Sequence, residues 1–249
     1  MRTVGIDLAA QPAKTGVATV EWESGRARVT QLDIGATDQM VLDAIASAAK
    51  TGIDCPLGWP RDFIAFITQH QNGHVTLSPG DAGAWRRRLS YRVTDLHVRT
   101  LLPGVTGLSV STDRIGVTAM RSAALLAQLA GAGAPVDRAG SGAVVEVYPA
   151  ATLLRWGFRS KGYKGTANAE ARGRLIDELL MQAPWLDLRD VEGLCRSSDD
   201  ALDAVIAALA ARAAAMGLTE PIPAELQGAA EVEGWMAIPQ RGTTLADLV

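Results

Sequence analysis

The sequence predicts an α/β domain built on a mixed β-sheet. Three short apolar segments, at residues 3–10, 15–22 and 26–34, are separated by short connections, which is typical of an antiparallel meander. Apolar residues then recur at helical spacing after Thr37, and a fourth strand-like run follows at residues 53–55. The pattern β-β-β-α-β therefore combines antiparallel and crossover connections in one sheet.

The first of these strands is predicted to lie inside the sheet. It begins at residue 2 or 3, so that later strands must flank it, and its aliphatic, β-branched sequence is typical of a strand buried on both faces. Asp7 lies at or near the C-terminal end of this strand, where open α/β sheets place their chemistry. An aspartate there is also suited to capping the turn at residues 11–14. The similar acids that recur downstream favour the functional interpretation.

A second acid, Asp54, is predicted at the tip of the fourth strand. The residues Gly-Ile-Asp occur at positions 5–7 and again at positions 52–54. Pro56 ends the strand just past the acid, because proline cannot extend a central ladder. Two strands of similar sequence therefore each end on an aspartate.

Residues 60–113 are predicted to form an irregular, polar insertion. The segment is too long for a simple connection within a compact domain, which favours a functional role. It contains an arginine run at residues 86–88 and the sequence Tyr-Arg-Val-Thr-Asp at residues 91–95. The arginine run is interpreted either as a phosphate contact or as a plainly solvated stretch, the more common situation.

Further elements are predicted after the insertion: a helix at 114–131, a strand at 143–148, a short helix at 150–156, a basic loop at 161–165, a helix at 168–182 and a partly irregular tail at 217–249 with one apolar turn at 235–238. The predicted strand contains Glu146, and Pro149 ends it.

The last strong element is a helix that begins after Ser198. Asp199 and Asp200 fall in its first turn, where the helix dipole favours anions, so capping explains both. Asp203 lies between alanines and aliphatic residues, where an unpaired carboxylate is costly to bury. Capping does not explain Asp203. Asp200 and Asp203 are three residues apart and therefore neighbours on the helix surface.

Composition limits the class of protein. A chain of 249 residues can bury a full core, and we expect one domain over residues 1–249 with the insertion inside it. A net charge of −3 excludes general attraction to polyanions, so nucleic-acid binding would need a local basic patch. Two cysteines, Cys55 and Cys195, form neither metal-ligand spacing nor a disulfide framework. With no signal peptide and no apolar run of spanning length, we expect a soluble, cytoplasmic protein without a membrane partner.

Five sequence blocks together resemble a known family. They are Gly-Ile-Asp at 5–7, Ile-Asp-Cys-Pro-Leu-Gly at 53–58, Arg-Val-Thr-Asp at 92–95, Glu-Val-Tyr-Pro at 146–149 and Asp-Asp-Ala-Leu-Asp-Ala at 199–204. In this order they resemble the recurring blocks of domain-of-unknown-function family 429, whose members are predicted to be RNase H-like nucleases. The late Asp-x-x-Asp resembles that of RuvC-type resolvases in particular. The resemblance implies a mixed five-stranded sheet of order 3-2-1-4-5, flanked by helices, with the insertion as a subdomain beside the acids.

The same resemblance implies a metal-dependent nuclease that binds DNA or RNA. In the RNase H-like superfamily, carboxylates on the first strand, the fourth strand and the last helix gather around divalent metal; the matching residues here are Asp7, Asp54, Asp200 and Asp203. The implied cofactor is Mg²⁺ or Mn²⁺, held by oxygen ligands as two ions that stabilise the attacking and leaving oxygens. Asp54 departs from the pattern, because RuvC-type enzymes usually have glutamate there. Glu146 is a further candidate ligand.

Four residues are candidates for binding the substrate: Lys14, Tyr91, Arg92 and Asp95. Lys14 lies in the first hairpin, where it would reach a phosphate, although a hairpin lysine ordinarily faces solvent. Arg92 and Asp95 belong to one of the family-like blocks. Asp95 is equally suited to fixing Arg92 or capping a helix.

Two other functions fit parts of the sequence. A catalytically silent RNase H-like module would bind a protein or nucleic acid without turnover, and metal binding with turnover distinguishes the nuclease from it. A phosphotransferase or ATPase of the sugar kinase and heat-shock chaperone type would also begin with a glycine-and-aspartate strand. Those enzymes need a second phosphate-binding hairpin, which Cys55 and Pro56 cannot form, and residues 140–142 are a poor adenosine loop.

Overall fold

A computed structural model describes residues 1–75, 80–105 and 107–249 of the protein. Residues 76–79 and 106 of the predicted insertion lie outside the described residues. The predicted mixed α/β architecture is confirmed: a mixed sheet is flanked by helices.

The sheet contains six strands: β1 (Arg2–Asp7), β2 (Gly16–Glu23), β3 (Arg26–Ile34), β4 (Lys50–Ile53), β5 (Val144–Glu146) and β6 (Leu186–Asp187). Their order is β5-β4-β1-β2-β3-β6. The pairs β1–β2 and β2–β3 are antiparallel, whereas β1–β4, β4–β5 and β3–β6 are parallel. The first strand therefore lies inside the sheet, between β2 and β4.

The prediction of a five-stranded sheet with the third strand at its edge was wrong. A sixth strand, β6, pairs with the outer edge of β3. The pairing involves only Ala27 with Leu186 and Arg28 with Asp187. A strand of two residues is too short to produce an alternating pattern, so sequence periodicity does not reveal it.

The described helices of one turn or more are α1 (Asp38–Ser47), α2 (Arg61–Gln71), α3 (Ala82–Ser90), α4 (Val93–Leu101), α5 (Ile115–Gly131), α6 (Pro149–Arg155), α7 (Ala169–Gln182), α8 (Glu192–Ser197), α9 (Asp199–Ala215) and α10 (Gln227–Glu233). None of the helices in these described parts of the chain is both long enough and apolar enough to cross a membrane.

Helix α9 packs directly on the sheet because glycines leave room for its backbone. A Cβ atom added at Gly5 of β1 would lie 2.0 Å from the carbonyl oxygen of Ala204. Added at Gly52 of β4, it would lie 2.5 Å from the carbonyl oxygen of Ala207. Ordinary side chains at these positions would clash with backbone and lift the helix off the sheet. The contact brings the first turns of α9 to the C-terminal ends of β1 and β4.

The prediction that the insertion is irregular was wrong, since its described part forms helices α2, α3 and α4. Helices α2 and α3 bury no residue completely. Because their apolar and polar residues are interspersed, the sequence shows no core-facing stripe that would predict a helix there. Phe66 of α2 packs edge-on against Trp85 of α3, with ring centroids 5.7 Å apart. The arginine run at residues 86–88 lies exposed on α3 rather than in a loop.

The tail holds the insertion against the sheet. Residues 235–238, predicted as a turn, are extended beside β5, and Ala237 N donates to Glu146 O at 2.9 Å. The carboxylate of Glu233, buried at the end of α10, accepts from two backbone groups of the insertion. Arg61 N at the start of α2 donates to Oε1 at 3.0 Å, and Val93 N at the start of α4 donates to Oε2 at 2.8 Å.

Candidate metal centre

Three of the predicted carboxylates meet at one end of the sheet. Asp7 ends β1, Asp54 directly follows β4, and Asp203 lies in the second turn of α9. One oxygen atom of each lies within 4.8 Å of the others. No other set of at least three His, Cys, Asp or Glu side chains converges in this way among residues 1–75, 80–105 and 107–249.

The sheet itself brings the first two acids together. Because β1 and β4 are parallel neighbours, with Ile6 opposite Ile53, their C-terminal ends meet at the same edge. Asp54 N donates to Ile6 O at 2.8 Å, which extends the ladder by one step. Asp7 and Asp54 are half-buried, whereas Asp203 is only 1% exposed and forms the inner wall of the site.

A lysine and a tyrosine complete the site from the basic loop before α7. The hydroxyl of Tyr163 donates to Asp203 Oδ1 at 2.7 Å. Lys164 Nζ forms an ion pair with Asp203 Oδ2 at 2.5 Å, and the lysine side chain remains 54% exposed. The loop is recognisable from its sequence as basic, but its sequence does not reveal its place in the site.

Arg172 of α7 holds this loop in place. Its buried guanidinium donates to the carbonyl oxygen of Tyr163 at 2.8 Å and to that of Gly165 at 3.2 Å. It also donates to the carbonyl oxygen of Ser197 at 2.9 Å, just before α9 begins. One buried side chain therefore ties the Lys164 loop to the helix that carries Asp203.

Burial and crowding raise the pKa values of all three carboxyl groups. Burial raises the pKa of Asp54 to about 7; Lys164 opposes the shift and Asp203 adds to it. The pKa of Asp7 is raised by burial, then by Asp54 and Asp203. Burial also raises the pKa of Asp203, against the effect of Lys164. Burial alone would lower the pKa of Lys164, but the surrounding carboxylates raise it. The site therefore holds more negative charge than its one lysine neutralises.

This crowding predicts that the metal-free protein loses stability as pH rises from about 4 to about 7. In the folded state Asp54 keeps its proton up to a pKa of about 7, whereas in the unfolded chain it releases the proton near 3.8. Raising the pH through this window removes protons from the unfolded state first and so favours unfolding. Urea unfolding in EDTA should show a decrease in native stability relative to Asp54→Asn between pH 4 and pH 7. Parallel pH profiles of the two proteins would contradict the expectation.

Asp200 is not part of the three-carboxylate group. It lies in the first turn of α9, and burial and Asp199 raise its pKa while Lys14 lowers it. Lys14 is exposed at the end of the short turn Pro12–Lys14. These two predicted residues therefore lie at the rim of the centre, on the α9 side.

Glu146 and Arg92 form a separate buried ion pair, which corrects their predicted roles as metal ligand and substrate contact. Arg92 Nη1 donates to Glu146 Oε2 and Nη2 to Oε1, both at 2.7 Å. Leu57 N donates to the same Oε2 at 3.1 Å. Both carboxylate oxygens of Glu146 are thus engaged, and Arg92, only 2% exposed, is paired with Glu146 and Asp95.

Asp95 and Tyr91 also serve the structure of the insertion. Asp95 accepts from Arg92 Nη2 at 2.9 Å and, as a helix cap, from Arg92 N at 2.8 Å. The alternative interpretation of Asp95, fixing Arg92 and capping a helix, is the one the structure supports. The guanidinium of Arg99 covers the ring of Tyr91, 3.9 Å from its centroid.

A cavity of about 240 Å³ adjoins the carboxylates beyond the ends of β4 and β5. Asp54 and Lys164 line it on the side of the centre. The remaining wall is largely apolar and includes Leu108, Ile115 and Tyr148. Sequence analysis gave no sign of this cavity, because its walls come from segments far apart in the chain.

Fold and site together define an α/β protein with a carboxylate centre at the C-terminal edge of a mixed sheet. A family model described as "Protein of unknown function (DUF429)" matches residues 5–227, and the chain belongs to this family. The match includes all three carboxylates and Lys164, and it confirms the family resemblance of the sequence blocks. Searches of curated proteins and of solved structures returned no match.

Proposed function

We propose that this protein is a metal-dependent nuclease of the RNase H-like class, which hydrolyses phosphodiester bonds with Mg²⁺ or Mn²⁺ held by Asp7, Asp54 and Asp203. The observation that carries the proposal is the convergence of these carboxylates, from two parallel strands and a helix, within 4.8 Å. The order of the five longer strands, β3-β2-β1-β4-β5, supports the RNase H-like assignment. The free, buried cysteines fit a reducing cytoplasm.

The donor set fits a divalent cation. All three side chains offer carboxylate oxygens, the ligands that Mg²⁺ prefers, and two of them are partly open to solvent that can complete an octahedron. Asp203 Oδ2 is buried and lies 2.5 Å from Lys164 Nζ, so a bound ion would share this oxygen with the lysine. A bound ion would supply Lewis-acid stabilisation of phosphate oxygens and a more acidic water.

Lys164 adds a fixed positive charge beside the metal ligands. Its loop is anchored by Arg172, and half of its side chain faces solvent, so its ammonium can hold a non-bridging phosphate oxygen next to Asp54. In this position the lysine performs part of the charge neutralisation that a second cation provides in two-metal sites. We therefore infer a centre of one divalent ion and one lysine.

The test compares Lys164→Met with Lys161→Met, which changes an exposed lysine on the same loop whose Nζ donates to Gly104 O at 2.8 Å. Removing Lys164 leaves more negative charge on the carboxylates, so the metal-free protein should melt lower and its stabilisation by Mg²⁺ should increase. Cleavage of single- or double-stranded DNA or RNA should fall by roughly 100-fold, the typical cost of losing one charge-stabilising donor. Thermal unfolding with and without Mg²⁺, together with gel assays, measures these effects, and Lys161→Met should resemble the native protein.

Other outcomes discriminate between the candidate functions. Stabilisation of the native protein by metal without cleavage of any of these nucleic acids would favour the silent binding module. A native protein that does not respond to Mg²⁺ or Mn²⁺ would contradict the metal centre. Unchanged cleavage in Lys164→Met would make this lysine a structural partner of Asp203 only.

A further inference from the structure

The cavity beyond β4 and β5 shares two residues with the metal centre. Asp54 and Lys164 form its boundary on that side. Its apolar lining comes from the segment that leads into α5, from the residues that follow β5 and from the tail, and includes Leu108, Ile115, Val147, Tyr148 and Met236. The side chains of Arg92, Asp95 and Glu146, which pair with one another, also line it.

We propose that this cavity binds the nucleobase of one unpaired nucleotide, whose phosphate lies at Asp54 and Lys164. The inference rests on the proposed function and specifies its substrate: single-stranded or locally unpaired nucleic acid. A phosphate at the centre would carry its sugar and base into the adjoining space, because Asp54 and Lys164 border both the centre and the cavity.

The walls suit a flat, largely apolar ring system. Tyr148 supplies an aromatic face, and Leu108, 60% exposed at the cavity, is a large apolar side chain that a bound base would cover. Nucleobases stack on aromatic side chains regardless of their sequence, because each base has a π-face. The other charged groups in the lining, Arg92 and its acid partners Asp95 and Glu146, are already paired with one another.

The size of the cavity favours a single base over a base pair. Its volume of about 240 Å³ lies below the roughly 300–1,000 Å³ of pockets for drug-sized ligands. One ring system fits such a space, whereas a stacked and paired base must first leave its duplex. The energy of unpairing then disfavours double-stranded substrates.

A series of three ligands tests directly whether the base contributes to binding. With Mg²⁺ present, nucleoside 5′-monophosphates should bind the full-length protein about tenfold or more tightly than ribose 5-phosphate, since stacking of one base is worth at least that factor. Inorganic phosphate provides the reference for the centre alone. Isothermal titration calorimetry measures the three affinities. Equal affinities for nucleoside monophosphate and ribose 5-phosphate would overturn the proposal.

Two variants test whether the additional affinity for the nucleoside monophosphate comes from the cavity. Tyr148→Leu removes the aromatic face but keeps apolar volume, and Leu108→Ser removes an exposed apolar contact at little cost to folding. Both should reduce the preference for the nucleoside monophosphate while leaving binding of inorganic phosphate unchanged. Val117→Ser is the matched control, because Val117 is 58% exposed on α5 and does not line the cavity. If both cavity variants keep the preference for nucleoside monophosphate over ribose 5-phosphate, the assignment of the cavity as the base site is overturned. If Tyr148→Leu does not fold, the result for Leu108→Ser decides.

Cleavage assays extend the test to polymers. A single-stranded oligonucleotide should be cleaved at least about tenfold faster than the same sequence in a duplex, because only the duplex must unpair. Equal rates would contradict the proposal. A protein that binds nucleoside monophosphates more tightly than ribose 5-phosphate, but is neither stabilised by metal nor active in cleavage, would have a nucleotide site and no nuclease function. Failure of the proposed nuclease function is therefore distinguishable from failure of the proposed base site.

Discussion

The variant Asp7→Asn should lose both the stabilisation by divalent metal and any phosphodiester cleavage. Asp7 lies within 4.8 Å of both Asp54 and Asp203, measured between carboxylate oxygens, and the substitution removes one of three acids at nearly constant shape. The native protein should gain about 2.7 kcal/mol of stability from metal at 100 times its dissociation constant. The variant should gain little, and its cleavage should fall by more than the roughly 10–100-fold typical of residues that only support a metal ligand.

The metal-free form of the same variant should be no less stable than the native protein. Burial and the neighbouring carboxylates already raise the pKa of Asp7, so its charge is unfavourable in the folded state. Thermal unfolding in EDTA and in Mg²⁺ separates the two effects. Asp43→Asn, on exposed α1, is the control and should respond to metal like the native protein. A metal response that survives in Asp7→Asn would identify Asp7 as a turn cap, because asparagine caps about as well as aspartate.

The variant Arg92→Met should lose about 3–5 kcal/mol of unfolding free energy, because it leaves two buried carboxylates without their cation. Asp95 and Glu146 each accept hydrogen bonds from the Arg92 guanidinium, and all three side chains are almost completely buried. Urea or thermal unfolding measures the loss. Neutralising both acids together with the arginine should restore much of it, because no unpaired charge then remains.

Arg87→Met is the matched control for this variant. Arg87 lies exposed on α3 in the same insertion, and removal of such a surface arginine should change stability by no more than about 0.5 kcal/mol. A stability loss confined to Arg92→Met supports its structural role. An unchanged stability with weaker nucleic-acid binding would instead make Arg92 the phosphate contact that the family block predicted.

Much of the fold could be predicted because its signals are local. Strands β1 to β3 and helix α1 are each recognisable from apolar period and turn residues. The fourth strand was expected at residues 53–55 but forms at Lys50–Ile53, so that Asp54 follows it directly. The acids Asp7 and Asp54 were nevertheless identifiable, because each lies where a strand ends. Asp203 was identifiable because a carboxylate within an apolar helix is costly unless it has a partner. These three are the acids that the structure brings together.

The partners of those acids could not be predicted, because the contacts join distant segments. Tyr163 and Asp203 are 40 residues apart, and Arg92 and Glu146 are 54 apart. A lysine between glycines has the local pattern of a solvated loop, and only the folded chain shows that Arg172 fixes it. The same holds for Glu146, whose sequence position suits a ligand but whose oxygens are occupied.

The carboxylate of Glu233 makes the tail and the insertion one cooperative unit. It lies beyond the residues matched by the family model, yet it caps the first turns of both α2 and α4. Detaching the tail would leave the amides of Arg61 and Val93 without their acceptor and would uncover the apolar residues around Met236. Hydrogen exchange at the amides of Arg61 and Val93 would then report the same opening event, although the two residues belong to different helices. A chain shortened at residue 227 would therefore lose order in the insertion, far from the cut in sequence.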